Sequence, residues 1–152
     1  MLNRLKDVFA SFERHDVHYV VIGGIAAILY GVPRATFDLD ILIEPTPQNA
    51  QRLLQALLDA GLGTAALTNP GELVANEITV FTDRVRIDVQ TSTPGLQFAD
   101  AWHRRETMTF EGQKFFVACK DDLVASKKAS GRVVDMEDVR LLELPDTSPD
   151  QG

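Results

Sequence analysis

Two alternating segments constrain this chain more than any other feature. In Asp38-Leu39-Asp40-Ile41-Leu42-Ile43 and in Val85-Arg86-Ile87-Asp88-Val89-Gln90, an apolar residue recurs at every second position. Successive side chains of a strand point to opposite faces, so Leu39, Ile41 and Ile43 share one face, as do Val85, Ile87 and Val89. Each segment needs a neighbour that buries that face, and each turns carboxylates the other way. Asp88 stands mid-strand, where aspartate is disfavoured on propensity alone. A third segment, Val17–Ile22, is rich in β-branched and aromatic residues and reads as a buried strand that Gly23-Gly24 ends.

Helical signals separate these strands. Leu2, Leu5, Val8, Phe9 and Phe12 recur at helical spacing and predict an amphipathic helix over 2–15. Ile25–Tyr30 reads as a short helix closed by Gly31, and Leu39–Glu44 as the second strand. Pro47–Ala60 reads as a helix with Thr46 as N-cap and Gly61 as its stop. Thr64–Leu67 is expected as a short strand, and Pro70–Ala75 as a turn or short helix. Glu77–Phe81 and Val85–Thr91 form an antiparallel hairpin across Thr82-Asp83-Arg84. A helix over Leu96–His103 leads to a second hairpin, Glu106–Phe110 with Lys114–Ala118, around Glu111-Gly112-Gln113. Helices at roughly 120–130 and 134–143, parted near Gly131, close the chain. The expectation is an α+β domain with a mixed β-sheet packed by helices.

Length and charge narrow the classes. The 152 residues suit one domain with a real core, over residues 1–144, followed by a polar, proline-containing tail at 145–152 expected to be disordered. The amphipathic start is not a signal peptide, and the apolar run from Val17 breaks at Gly23-Gly24, too soon to span a bilayer. Cys119 is the one cysteine, which excludes an internal disulfide and suits a reducing cytoplasm. The net charge of −7 disfavours broad, nonspecific binding to nucleic acid. Basic residues gather between Arg84 and Arg132, and by charge alone they read as a solvated face.

The carboxylates carry the chemistry. Asp38 and Asp40 sit side by side on one strand face, where like charges raise each other's pKa unless something neutralises them. A divalent cation such as Mg²⁺ or Mn²⁺ would do so, with hard oxygen ligands from carboxylates, phosphates and water. The bland alternative is two solvated side chains on an open sheet, and for a bare Asp-x-Asp it wins. If Asp88 lies on a neighbouring strand, three carboxylates converge and can hold two metals, with Asp88 placed to take a hydroxyl proton. Gly23-Gly24, between strand and helix, lets the backbone approach a ligand, and free N–H groups there favour phosphate. Strand-to-helix turns also need glycine for geometry alone. Lys127 shares a helix face with Leu123 and Val124, and either reaches the site or snorkels along the core edge.

Together these residues resemble the polymerase-β-type nucleotidyltransferase superfamily. The resemblance rests on Val21-Ile22-Gly23-Gly24, on Arg34-Ala35-Thr36-Phe37-Asp38-Leu39-Asp40, and on Ile87-Asp88-Val89. Within that group the chain is similar to small bacterial proteins related to the AbiEii-type toxins of toxin–antitoxin systems. The shared features are the lysine segment Asp122–Lys128, Gly131-Arg132 and the Asp135-x-x-Asp138 pair, and the likeness spans roughly residues 15–143. It implies a nucleotidyltransferase fold with C-terminal helices. It also implies transfer of a nucleoside monophosphate from an NTP to a hydroxyl of tRNA, protein or a small molecule, with a toxin or antitoxin as partner. By the same resemblance, Asp38, Asp40 and Asp88 bind metal and catalyse, Gly23 and Gly24 cradle the triphosphate, and Lys127 contacts phosphate. Asp135 and Asp138 orient that lysine or cap the last helix. Many members carry Gly-Ser where this chain has Gly-Gly. A non-catalytic nucleotide- or partner-binding module on the same fold is the alternative.

Overall fold

The computed structural model describes residues 2–145, so the tail expected to be disordered lies, from residue 146 onward, outside the described residues. Leu2–Arg4 form a turn of 3-10 helix, and helix α1 follows over Lys6–Arg14. The single helix expected over 2–15 is therefore split, because Leu5 N–H donates to Leu2 C=O and tightens the first turn. α1 buries Val8, Phe9 and Phe12, the apolar stripe read from its spacing. Strand β1 covers Tyr19–Ile22 and runs straight into helix α2, Gly23–Leu29. Strand β2 is Asp38–Ile43, and helix α3 is Pro47–Asp59. The Thr46 hydroxyl accepts from Asn49 N–H and caps α3, as its position before Pro47 predicts.

Gly63–Leu67 is a 3-10 helix, not the strand expected over Thr64–Leu67. The segment is alanine-rich and lacks the β-branched alternation of the paired strands, and it buries Ala65 in the core beside α3. Helix α4, Pro70–Ala75, is capped by the Asn69 side chain. The hairpin strands follow as β3, Ile78–Thr82, and β4, Arg86–Gln90. Helix α5 is Phe98–His103, and the second hairpin is β5, Glu106–Phe110, with β6, Gln113–Val117. Glu111 and Gly112 turn it with φ of 48° and 82°, the left-handed pair a tight hairpin requires. Helices α6, Lys120–Ser130, and α7, Val133–Leu142, meet at Gly131, whose φ of 67° closes α6.

The six strands form one mixed sheet in the order β3-β4-β2-β1-β6-β5. β1 is antiparallel to β2 and parallel to β6, and β2 is parallel to β4. One face packs on α1, α3 and α4. Its core joins Leu39, Ile41, Ile43, Ile87 and Val89 to Phe9, Phe12, Leu53 and Leu57. Phe9 stacks on Phe115 at 4.6 Å between ring centroids. Burying each such side chain contributes roughly 1.5–3 kcal/mol. Buried Asn49 accepts from His18 N–H and donates to the carbonyls of His18 and Glu44, pinning α3 to the entry of β1.

The opposite face is divided. At one end α5 covers it, and Val20, Ile22, Leu42, Leu96, Ala101 and Ala118 make a second, smaller core. Phe98 and Trp102 pack against that core, as their helical spacing suggests. At the other end the face carries Asp38, Asp40 and Asp88 and stays open.

Candidate active site

The parallel pairing of β2 with β4 sets the site. Asp40 lies directly beside Asp88, and Asp38 beside Arg86. Residues side by side in a sheet share a face, so all three carboxylates project together, away from the main core. They form the floor of a cavity of about 490 Å³. Thr93 and Pro94 line it too, as do Leu123, Ser126, Lys127 and Ser130 of α6 and, beyond them, Arg132 and Asp135. Ile22 pairs with Asp40 across β1 and β2, so Gly23 enters α2 against the Asp40 carboxylate. A Cβ on Gly23 would collide with Asp40 Oδ2, and its φ of 72° also suits glycine.

Gly24 does something else. It is buried, it is absent from the cavity lining, and a Cβ there would stand 2.6 Å from an Arg34 guanidinium nitrogen. Its smallness makes room for Arg34.

Crowded negative charge shapes the electrostatics. Asp40 is pushed up to about 7, chiefly by burial, then by the charge of Asp88, a hydrogen bond with Asp88 and the charge of Asp38, while Lys127 pulls the other way. Burial first, and the neighbouring carboxylates second, favour the protonated form of Asp40. Arg86 answers part of that negative charge. Its Nε donates to Asp88 Oδ1 at 3.0 Å, its Nη2 to Asp88 Oδ2 at 3.4 Å, and Nε lies 3.9 Å from Asp38 Oδ2.

The donor set suits a hard divalent cation: carboxylate oxygens on one face with room for phosphate and water. Among the described residues, no three His, Cys, Asp or Glu groups already stand in ligating geometry. Asp88 is instead held by Arg86 and by its hydrogen bond with Asp40.

Lys127 is buried, with 4% of its side chain exposed, so it does not snorkel to water. Its ammonium pairs with Asp138 Oδ2 at 2.9 Å and Asp135 Oδ1 at 3.3 Å. Arg34 reaches Asp138 at 3.2 Å, and Arg132 and the Ser130 hydroxyl both reach Asp135. Burial works to raise the pKa of Asp135, but Ser130, Arg132 and Lys127 together hold it below the usual carboxylate value. Three cations face two carboxylates in this network, which leaves one positive charge beside the acidic floor. Asp135 and Asp138 thus orient the lysine, and Asp135 also lies in the first turn of α7. Lys128, by contrast, is surface and pairs with Glu143.

Sequence reasoning passed over Arg34, Arg86 and Gly95. Arg86 had a signal, since it stands two residues before Asp88 and so shares its strand face. Arg34 opens a segment that carries the resemblance, but nothing local ties that loop before β2 to α7. Gly95 is a close approach: a Cβ there would lie 2.8 Å from Ala125 O and from Ala129 Cβ, so glycine seats the Thr93-Pro94 wall against α6.

No curated protein matches the chain. The crystal structure of a "putative nucleotidyltransferase" (TM1012) from Thermotoga maritima is similar in fold, with a TM-score of 0.58 and 17% sequence identity, covering 92% of this chain and 90% of that one. Residues 2–147 match the family described as "nucleotidyltransferase of unknown function (DUF6036)". With an α+β fold, a mixed sheet and that match over nearly its whole length, the chain belongs to this nucleotidyltransferase family.

Proposed function

We propose that this protein transfers a nucleoside monophosphate from an NTP to a hydroxyl acceptor, with Mg²⁺ or Mn²⁺ held by Asp38, Asp40 and Asp88. The observation that carries this reading is the Asp40–Asp88 register, with Asp38 one step along, on the floor of a cavity walled by a buried lysine. In the reaction, the acceptor oxygen forms a bond to the α-phosphorus, the bond from that phosphorus to the bridging oxygen of pyrophosphate breaks, and pyrophosphate leaves with the electron pair. A bound divalent cation supplies charge neutralisation for the triphosphate and activates the attacking oxygen.

The chain's own residues have distinct tasks. Asp88 accepts the hydroxyl proton, and its neighbour Asp40 takes part through their shared hydrogen bond. The Gly23 backbone, free of a side chain beside Asp40, lets the triphosphate lie close, and the first N–H groups of α2 favour its charge. Lys127 adds a positive charge fixed by Asp135 and Asp138. Gly24 contributes by keeping Arg34 in place. The whole operates as one nucleotidyltransferase-like domain over residues 1–144, in the cytoplasm. Among the described residues, no helix is long and apolar enough to cross a membrane.

The Lys127–Asp135–Asp138 ion network favours the narrower likeness to AbiEii-type toxins, in which the acceptor is tRNA or protein and a partner gene encodes the antitoxin. The Arg86–Asp88 pairing favours a second reading, a module that binds a nucleotide or partner without turnover. Incubation with each labelled NTP, Mg²⁺ and total tRNA or cell extract separates them. Labelled acceptor and released pyrophosphate, both lost in Asp40→Asn, support the enzyme. Nucleotide binding without either product supports the module.

A further inference from the structure

Arg86 occupies a position that the chemistry of the site reserves for a cation. It is one of three cationic side chains on the cavity lining. Lys127 and Arg132 are tied to Asp135, a carboxylate outside the triad. Arg86 alone among the three is tied to the triad itself. The strand register makes this unavoidable. Arg86 stands beside Asp38 across the β2–β4 pairing and two residues before Asp88 on its own strand, so all three side chains share one face at neighbouring positions. The guanidinium lies between the two carboxylates, 3.0 Å from Asp88 and 3.9 Å from Asp38. Among the described residues, both of its side-chain hydrogen bonds go to Asp88, and about half of the side chain faces solvent.

We propose that Arg86 is an internal counter-ion that competes with the divalent cation for Asp88 and Asp38, and that it swings out to solvent when the cation binds. The proposal rests on the metal reading above. Its physical basis is that a guanidinium and a divalent ion both neutralise carboxylates, and an oxygen pair cannot serve both at contact distance. An arginine on a long, half-exposed side chain can leave at modest cost, whereas Lys127, buried among its partners, cannot. The displaced guanidinium remains at the cavity edge as a mobile positive charge. The consequence is a site that is partly neutralised without metal and has a metal affinity set below what its carboxylates alone would give.

The test is direct binding of Mn²⁺, followed by the electron paramagnetic resonance of the free ion, to the full chain without nucleotide. Wild type, Arg86→Gln, Arg86→Lys and Asp40→Asn are compared. Arg86→Gln removes the competing charge from an exposed position and is expected to bind Mn²⁺ about ten-fold tighter than wild type at low salt. Arg86→Lys, which keeps the charge, should stay near wild type, and Asp40→Asn should bind weakest. Equal affinity of wild type and Arg86→Gln overturns the counter-ion role while leaving the metal reading intact. Weaker binding by Arg86→Gln also overturns it, because Arg86 would then be orienting Asp88 for the ion. Binding that is absent throughout, or unchanged by Asp40→Asn, overturns the metal reading itself and this proposal with it.

Discussion

Asp40 and Gly23 face each other across the turn from β1 into α2, and each limits what the other can be. The Asp40 carboxyl titrates at about 7 against 3.8 for an ordinary aspartate. Between those values the native protein keeps a proton that the unfolded chain has released. Asp40's contribution to stability is therefore full at low pH and falls as pH rises toward 7, by up to ~1.4 kcal/mol per pH unit. Asp40→Asn should flatten that slope and leave the protein more stable than wild type at and above neutral pH, as urea denaturation across the range would measure. On the proposed function, the same variant should lose at least ~100-fold in nucleotidyl transfer, because the charge that strains the free protein would be the one that holds the cation. A merely solvated carboxylate would give neither result. Gly23→Ala would place a methyl group against Asp40 at a positive φ. It is expected to cost about 1–3 kcal/mol and to abolish transfer, whereas alanine at Gly61, where the space is open, should carry only the backbone penalty of its positive φ and leave transfer intact.

Helices α6 and α7 owe their joint position to charge as much as to apolar packing. Val133, Val134 and Met136 of α7 are exposed, while its buried residues include Asp135 and Asp138, which meet Lys127 of α6. Arg34 extends the tie to the loop ahead of β2, so the wall and the floor of the cavity are braced by one network. Lys127→Met keeps most of the side-chain volume but removes one of the three cations that face Asp135 and Asp138, leaving Arg132 and Arg34 to pair them. A loss of ~1.5–3 kcal/mol is expected, measurable by thermal or urea unfolding, since each buried carboxylate loses a charged hydrogen bond. A lysine that touched only solvent would cost under about 1 kcal/mol.

The molecule divides one sheet face between a second core under α5 and an acidic cavity under α6. On the proposed function, the acidic cavity takes up a cation that carries the triphosphate with it. Thermal melts with Mg²⁺ and NTP should therefore raise the melting temperature of the wild type, because a ligand that binds the native state stabilises by mass action, ~2.7 kcal/mol at a hundred-fold excess over Kd. The increase should shrink in both Asp38→Asn and Asp40→Asn. Equal shifts in all three proteins would exclude metal binding by these carboxylates.

Much of the framework was legible in local sequence. Period-two alternation identified β2 and β4, glycines and prolines marked the turns, and the opposition of Asp38, Asp40 and Asp88 to Leu39, Ile41 and Ile87 put each carboxylate on its strand's open face. These are properties of neighbours along the chain, and a strand's geometry transmits them directly. What local sequence cannot contain is pairing. That β2 lies parallel to β4 with Asp40 opposite Asp88, and not one residue out of register, is a tertiary fact on which the whole site depends. The same holds for the environment of Lys127, which equally matched a site residue and a snorkelling one until α7 brought Asp135 and Asp138 to it. Arg34 reaches Asp138 across more than a hundred residues of chain, and no periodicity records such a contact. Only folding sets these distances, and for charged groups distance decides whether a neighbour is a partner or a competitor.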